Sequence, residues 1–289
     1  MSAIAERLRS ARNGGARPHQ LALTALARVG YGARGFVYLS AGALTLLAAT
    51  DRIGGAVGSS GAAGWLAEQP FGRVWLMLLG YGLWAFVLWR IVQAVFDADN
   101  EGSDLKGWAT RVGQGLSALF YGLLASTVFE YLDESGTGER GSADVAENQQ
   151  KAAEVLALPF GELLLIGVGV VILGVGIGNI VRAFREDFAE ELSCSPQVCR
   201  RVTPLARAGY AARGFAYLPL AVFVILAGLH ARAREVTDFS GALDALESQP
   251  GGSWMLGLTA VGLMAFGAFA FVEARWRRIR PPRDLNPLN

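Results

Sequence analysis

The feature that most constrains this chain is a series of apolar runs, each long enough to cross a membrane as a helix. About 20 helical residues span the roughly 30 Å of a bilayer's hydrocarbon core. Such runs occupy residues 33–50, 74–96, 112–132, 160–181, 214–230 and 254–272. Backbone amides in lipid must be bonded within their own segment, and no run alternates strictly as a barrel strand would. The sequence therefore predicts an all-α polytopic membrane protein with six transmembrane helices.

Composition agrees with this prediction. Hydrophobic residues make up 52% of the 289 residues, and the mean hydropathy is +0.34. Both values are high for soluble domains. The net charge of +1 carries no information about partners, because basic and acidic residues nearly cancel.

An internal repeat organises the six runs. Residues 26–38, LARVGYGARGFVY, reappear at 205–217 as LARAGYAARGFAY, and a weaker copy keeps Arg111, Gly113 and Tyr121. Because the motif recurs inside the chain, its first copy is not a signal peptide. In the weaker copy, Gln114 and Ser117 stand where the other two have tyrosine and arginine.

Each copy predicts one two-helix hairpin. The repeats span residues 21–98, 107–187 and 203–280, between terminal segments 1–20 and 281–289. We expect three parallel repeats arranged about an approximate threefold axis along the membrane normal. A short amphipathic stretch should cap each hairpin at the membrane surface, and a docking surface or lid is the alternative for it. Pro70, Pro159 and Pro250 should then occupy the first turn of each second helix.

The distribution of basic residues predicts the orientation. If both termini lie inside, 20 of the 26 Lys and Arg residues fall on the inner side. Short loops rich in these residues remain in the cytoplasm. We therefore expect a multi-pass protein of the cytoplasmic (inner) membrane with both termini cytoplasmic.

Two polar stripes are the first candidate sites. Tyr31, Arg34 and Tyr38 share one helical face, as do Tyr210, Arg213 and Tyr217. Each stripe could bind an anion or a lipid phosphate near the inner surface. The alternative, which we favour, is that these side chains anchor a helix end at the interface.

Equivalent polar residues near the inner ends of the second helices form the other candidate set. They are Gln93, Arg182 and Glu273. A charge at this depth normally finds a protein partner. We predict an ion pair of Arg213 with Glu273 within the third hairpin. In the other two hairpins, the same positions predict contacts of Arg34 with Gln93 and of Ser117 with Arg182.

Two further local patterns carry predictions. The GxxxG spacing of Gly174 and Gly178 indicates close packing of the fourth span against another helix.

Cys194 and Cys199 fall on the proposed cytoplasmic side, where thiols normally stay reduced. We therefore expect them to be free thiols without a functional role, and redox sensing is the alternative.

The motifs resemble those of a bacterial membrane family catalogued as domain of unknown function 1206. The resemblance rests on three units with Arg-x-Gly-Tyr-x-Ala-Arg-Gly-x-x-Tyr followed by a Pro-Phe-Gly hairpin, and covers residues from about 21 to 278. It implies an architecture and brings no established activity, cofactor or catalytic residue.

The sequence does not specify a biochemical activity. Phosphate-binding loops, metal-ligand sets and nucleophile–base arrangements are absent from it, so we expect neither an enzyme nor a bound cofactor or metal. The leading hypothesis is a non-enzymatic membrane component that interacts with lipid, with a protein partner or with further copies of itself, and not with nucleic acid. The alternative is a small transporter or channel with a path along the repeat axis. Apolar midspan residues favour a filled interior instead: Leu44, Leu46, Leu123, Leu173, Ile225 and Phe266.

Overall fold

The computed structural model describes residues 18–50, 59–99, 102, 104–133, 140–237 and 239–279. Over these residues the chain is helical and forms no strand beyond an isolated bridge between Leu192 and Arg277. The prediction of an all-α fold is confirmed. The terminal segments 1–20 and 281–289 lie outside the described residues, except that residues 18–20 begin the first helix.

The helices of the described chain follow a long–short–long order in each hairpin. The first hairpin contains α1 (Pro18–Ala49), α2 (Ser59–Ala67) and α3 (Gly72–Phe96), and the second contains α4 (Leu105–Asp133), α5 (Arg140–Leu156) and α6 (Gly161–Arg185). The third contains α7 (Pro196–Leu229), α8 (Phe239–Glu247) and α9 (Gly252–Trp276). The six long helices are apolar enough to cross a membrane. We call the side with residues 97–99, 186–195 and 277–279 the terminal face, and the side with α2, α5 and α8 the hairpin face.

The three prolines do not occupy the first helical turn, so that prediction is wrong. Each proline lies two residues before its helix, and the next residue has a positive φ: 61° at Phe71, 61° at Phe160 and 76° at Gly251. A turn hydrogen bond follows, from Gly72 N to Gln69 O in the first hairpin (2.8 Å). Proline at the second position and a left-handed residue at the third are typical of a type II turn.

The glycine that ends each turn is required by close backbone approach. A Cβ on Gly72 would collide with the carbonyl oxygen of Ala67. A Cβ on Gly161 would likewise collide with the carbonyl oxygen of Val155, and a Cβ on Gly252 with that of Glu247. Pro-Phe-Gly therefore specifies the connection between a short helix and a long one. The first of the predicted capping stretches is α2, and its Leu66 is buried.

The first and third hairpins pack through the same contact. A Cβ on Gly30 of α1 would come within 2.5 Å of Phe86 Cα on α3, and a Cβ on Gly209 of α7 would come equally close to Phe266 Cα on α9. Gly30 and Gly209 are equivalent repeat positions. The equivalent glycine of the second hairpin, Gly113, has nothing within 4 Å of its Cβ position. Helices α4 and α6 hardly touch, so the second hairpin is open.

Neighbouring hairpins also share an interface. Gly35 of α1 packs against the backbone carbonyl of Gly267 on α9. Gly214 of α7 packs in the same way against the backbone carbonyl of Gly176 on α6. The predicted close packing of the fourth span is present, but it uses Gly176 and the flanking Gly169 against α7, whereas nothing lies within 4 Å of a Cβ at Gly174 or Gly178. The packing order around the bundle is α4, α3, α1, α9, α7 and α6, with a gap between the two ends of this series.

Candidate binding cleft and its arginines

The gap between α4 and α6 is a cleft of about 1060 Å³. Its apolar walls come from α4 and α6, with these side chains partly exposed: Leu119 (62%), Leu123 (62%), Val168 (51%) and Val171 (46%). The predicted filled interior is therefore wrong for the second hairpin, where Leu123 lines the cleft. By contrast, Phe266 in the third hairpin is fully buried.

The cleft runs from the terminal face along roughly two-thirds of α4 and α6. Among its lining residues, Leu123 lies furthest along α4 and Val168 furthest along α6, so the cleft ends before the hairpin-side part of both helices. At its terminal end, arginines outnumber carboxylates in the lining. The lining arginines are Arg34, Arg90, Arg182, Arg213, Arg277 and Arg278, and the lining carboxylates are Asp99, Glu186, Glu190 and Glu191.

Three of these arginines alternate with two phenylalanine rings, an arrangement we call the arginine ladder. The guanidinium carbons of Arg90 and Arg34 lie 5.0 and 5.1 Å from the ring centre of Phe86. Those of Arg34 and Arg213 each lie 4.9 Å from the ring centre of Phe266. Phe86 and Phe266 are equivalent repeat positions, and cation–π attraction stabilises a guanidinium at these distances.

Glu273 pairs with Arg34, so the predicted ion pair with Arg213 is wrong. Both Arg34 and Glu273 are almost fully buried, with side chains only 1% exposed. Glu273 also accepts a hydrogen bond from Arg277, one turn further along α9, at 2.7 Å. Arg34 has the same repeat position in the first hairpin as Arg213 in the third. The contact of Arg34 with Glu273 therefore forms between neighbouring hairpins, because α1 packs closely against α9 through Gly35 and Gly267.

Arg213 has neutral partners. Its guanidinium donates to Tyr38 Oη at 3.0 Å, to Asn179 Oδ1 at 3.3 Å and to Tyr217 Oη at 3.3 Å. Among the described residues, neither Arg213 nor Arg90 has a carboxylate partner. The structure thus joins Tyr38 of one predicted stripe to Arg213 and Tyr217 of the other.

The remaining tyrosines of the stripes are buried around the ladder. Tyr31 packs edge-on against Phe86, with ring centres 5.3 Å apart. Tyr210 packs against Phe266 in the same manner at 5.0 Å. Since both rings are in the protein core, neither acts as an interface anchor.

Gln93 and Arg182 also differ from their predicted pairings. Gln93 donates to Asp99 at 2.6 Å and accepts from Arg90 at 3.2 Å, instead of hydrogen-bonding to Arg34. Arg182 pairs with Glu186 and, at 2.7 Å, with Glu191. Ser117, the predicted partner of Arg182, lines the cleft instead.

Residues 186–195 fold across the terminal face. Phe188 is fully buried and stacks on Tyr210 with ring centres 5.2 Å apart. Leu192 is also fully buried, and Ser193 N donates to Trp276 O at 2.7 Å. This segment therefore covers the terminal end of the bundle beside the cleft.

Two carboxylates of this segment differ in proton affinity. Burial favours the neutral form of Glu191, but Arg277 and Arg182 outweigh it and lower the pKa of Glu191 to about 2. Burial raises the pKa of Glu186 to about 7, against the attraction of Arg182 and with help from neighbouring Glu191. Glu191 therefore carries the negative charge that joins Arg277 to Arg182.

Cys194 and Cys199 are joined by a disulfide, so the predicted free thiols are not present in this structure. The bond ties the end of the covering segment to the first turns of α7. A spacing of five residues across the start of a helix brings the two Cα atoms to 5.7 Å, within the usual range for a disulfide.

Sequence reasoning missed Arg90, Asn179, Glu191 and Arg277. Arg90 and Asn179 occupy the same repeat position, three residues before Gln93 and Arg182, and polar residues there could have been noticed. Glu191 and Arg277 lie outside the apolar runs, where their sequence context is ordinary. The folding of residues 186–195 onto the end of α9 brings Glu191 to Arg277, which in turn binds Glu273.

Comparison with known sequences finds the same three repeats. The sequence model of the domain of unknown function 1206 matches this chain three times, at residues 29–97, 112–186 and 208–277. The chain belongs to this family. The predicted resemblance is thereby confirmed, and each DUF1206 segment covers one hairpin.

A curated relative agrees with the DUF1206 assignment over nearly the full length. A protein of Bacillus subtilis (strain 168), described as "Uncharacterized protein YxxB", is 30% identical over 257 residues, which is 87% of this chain and 90% of that protein. No solved structure matches the chain.

Proposed function

We propose that this protein is a non-enzymatic membrane component that binds a lipid in the cleft between α4 and α6. The observation that carries the proposal is the opening of the second hairpin, where Gly113 faces free space while Gly30 and Gly209 are in tight contact. An apolar groove at this depth matches the chemistry of an acyl chain. The partly exposed side chains of Leu119 and Val171 support entry from the bilayer.

The proposed setting is the cytoplasmic membrane, with the terminal face on the cytoplasmic side. The bias of basic residues supports this orientation. A bound lipid would then come from the inner leaflet, and further protein partners or self-association remain compatible with this role.

Photo-crosslinking tests the proposal. Full-length protein in bilayers containing phosphatidylcholine with a photoreactive acyl chain should be labelled on α4 and α6 along the cleft. Gly113→Phe places a ring in the cleft and should reduce that labelling severalfold. Leu258→Phe, at an exposed position on α9 (75%), is the matched control and should leave it unchanged. Uniform labelling of all lipid-facing helices, insensitive to Gly113→Phe, would refute lipid binding in the cleft.

The transporter alternative predicts a path across the whole membrane. A carrier needs its path to reach the hairpin face, whereas the lining of the cleft ends at Leu123 and Val168. Reconstituted protein that moved labelled lipid or a polar solute across vesicle membranes would favour transport over simple binding.

A further inference from the structure

We propose that the arginine ladder is a binding site for the phosphate group of an anionic phospholipid, whose acyl chain occupies the apolar part of the same cleft. This inference rests on the proposed lipid binding and names the class of lipid. It depends on three features of the ladder: unmatched positive charge, donor geometry and depth.

The charge of the ladder is not balanced by protein carboxylates. Arg34 has Glu273, but Glu273 also binds Arg277. In the described part of the chain, Arg90 and Arg213 have only neutral hydrogen-bond partners and aromatic rings. Arg34 and Arg213 are less than 10 Å apart, since each lies 4.9 Å from the centre of Phe266. Cations held this close beside an apolar wall favour a bound anion.

The available donors suit phosphate. A guanidinium offers a planar fork of N–H groups that matches two phosphate oxygens. Tyr38 and Tyr217 accept from Arg213 through their hydroxyl oxygens, and Tyr217 places its hydroxyl group in the lining of the cleft. These groups together provide charge-assisted and neutral hydrogen bonds.

Three buried polar atoms at the cleft are without a protein partner. They are Nε of Arg34, in a residue 1% exposed, Oε1 of Gln114, in a residue 6% exposed, and Nε of Arg90. All three residues line the cleft. Buried polar groups are normally hydrogen-bonded. A phosphate oxygen can accept from Arg34, and a hydroxyl of the lipid head group can donate to Gln114.

The depth of the ladder favours a lipid over a free ion. Arg90 lies six residues before the end of α3 at Phe96, about 9 Å along the helix. The cleft continues from the ladder towards the middle of the bundle between Leu119, Leu123, Val168 and Val171. A free phosphate ion would leave this apolar volume unused, whereas a phospholipid fills both parts.

Comparison of the repeats explains why the site is open in the second hairpin. In the first and third hairpins the ring positions hold Phe86 and Phe266, which fill the contact with Gly30 and Gly209. The corresponding residue of the second hairpin is Val175, which lines the cleft together with Gly113. Ser117 replaces the arginine of the other copies, so a small side chain leaves room where a guanidinium would stand.

Lipid titration monitored by native mass spectrometry tests the site. Full-length protein in detergent is titrated separately with phosphatidylglycerol, phosphatidylcholine and inorganic phosphate. We expect phosphatidylglycerol to bind most tightly. Because each variant loses a charge-assisted hydrogen bond, Arg213→Gln or Arg90→Gln should weaken phosphatidylglycerol binding about tenfold or more. Phosphatidylcholine has the same phosphate group but a choline cation beside it, so it should bind more weakly and lose less affinity in these variants.

Controls separate the site from general attraction to charged lipid. Arg207→Gln removes an exposed arginine of α7 outside the cleft and should not change phosphatidylglycerol affinity. Arg213→Lys and Arg90→Lys keep the charge but lose the planar fork, so they should give intermediate affinities. These conservative variants also cover the case in which a glutamine variant does not fold.

Each contrary result overturns a different statement. If both lipids bind equally and the arginine variants have no effect, the phosphate site is refuted while lipid binding in the cleft survives. If neither lipid binds, both proposals are refuted. If inorganic phosphate binds with the expected dependence on Arg213 and phosphatidylglycerol does not, a phospholipid is the wrong source of the phosphate.

Discussion

At the scale of single residues, the polar groups of this protein are shared between hairpins. Glu273 belongs to the third hairpin and Arg34 to the first, yet they form an almost fully buried pair. Arg213, whose repeat position is the same as that of Arg34, instead bonds to Asn179 of the second hairpin. The two arginines therefore each reach the second helix of another hairpin.

We predict strong energetic coupling between Arg34 and Glu273. Removing one partner leaves a buried charge unpaired, so Glu273→Gln or Arg34→Met should each lower the free energy of unfolding by about 3–5 kcal/mol. A double-mutant cycle in detergent or bilayers should give a coupling of about 1 kcal/mol or more. The cycle for Arg213→Met with Glu273→Gln should be additive within about 0.5 kcal/mol. Coupling in the second cycle and none in the first would contradict the observed pairing.

We also predict that Glu186 makes stability depend on pH. Its pKa is raised from 4.5 to about 7 in the folded protein. A raised acid pKa means that the folded state binds the proton more tightly, so this contribution is present below about pH 4.5 and is lost as the pH rises through about 7. The melting temperature should fall less between these values in Glu186→Gln than in the unmodified protein. Glu190→Gln, on an exposed residue, should retain the full pH dependence.

At the scale of helices, one glycine position has two different environments. Gly30 and Gly209 let α3 and α9 approach their partners so closely that a Cβ would lie 2.5 Å from a backbone Cα. Gly113 has the same place in the repeat but faces the cleft. This glycine is thus present in all three hairpins, whereas the close helix packing that it permits is present in two of them.

This difference predicts opposite outcomes for the same substitution. Gly30→Ala and Gly209→Ala should lower the free energy of unfolding by about 1–3 kcal/mol, because the helices must move apart. Gly113→Ala should be neutral or stabilising by up to about 1 kcal/mol, since alanine is the better helix former. Chemical denaturation of the three variants measures this. A loss at Gly113 as large as at Gly30 would show that the second hairpin closes in solution.

At the scale of the whole molecule, the six long helices form a bundle that is closed except between α4 and α6. The matching glycine contacts of the first and third hairpins, and of the α1–α9 and α6–α7 interfaces, agree with parallel repeats. The threefold axis itself stays a prediction, and the open second hairpin departs from exact symmetry.

Membrane orientation is the prediction that belongs to this scale. Reporters fused near residues 55, 140 and 240 should lie outside, and those near 102, 195 and 285 in the cytoplasm. The physical reason is that 20 of the 26 basic residues would otherwise have to cross the membrane. Cytoplasmic signal from any of the three hairpin-face fusions, in a stable full-length protein, would reverse this topology. In the expected orientation the arginine ladder faces the leaflet that carries anionic lipid.

The apolar runs and the repeat were enough to predict the helices and hairpin order. Hydrocarbon allows few alternatives to a helix for an apolar run of this length, and a repeated motif implies a repeated unit. The same sequence identified Arg34, Arg213, Arg182 and Glu273 as candidates, because charges near hydrocarbon are costly and stand out.

Only the tertiary structure decided how these residues combine. Arg34 and Glu273 are 239 positions apart and meet because α9 returns to pack on α1. The cleft arises because α4 and α6 do not pack together, although their sequences retain the glycine of a closed hairpin. Pairing and cavities depend on which helix faces form contacts. That choice is made by the packing of all six helices together, whereas local sequence determines only whether each of them forms.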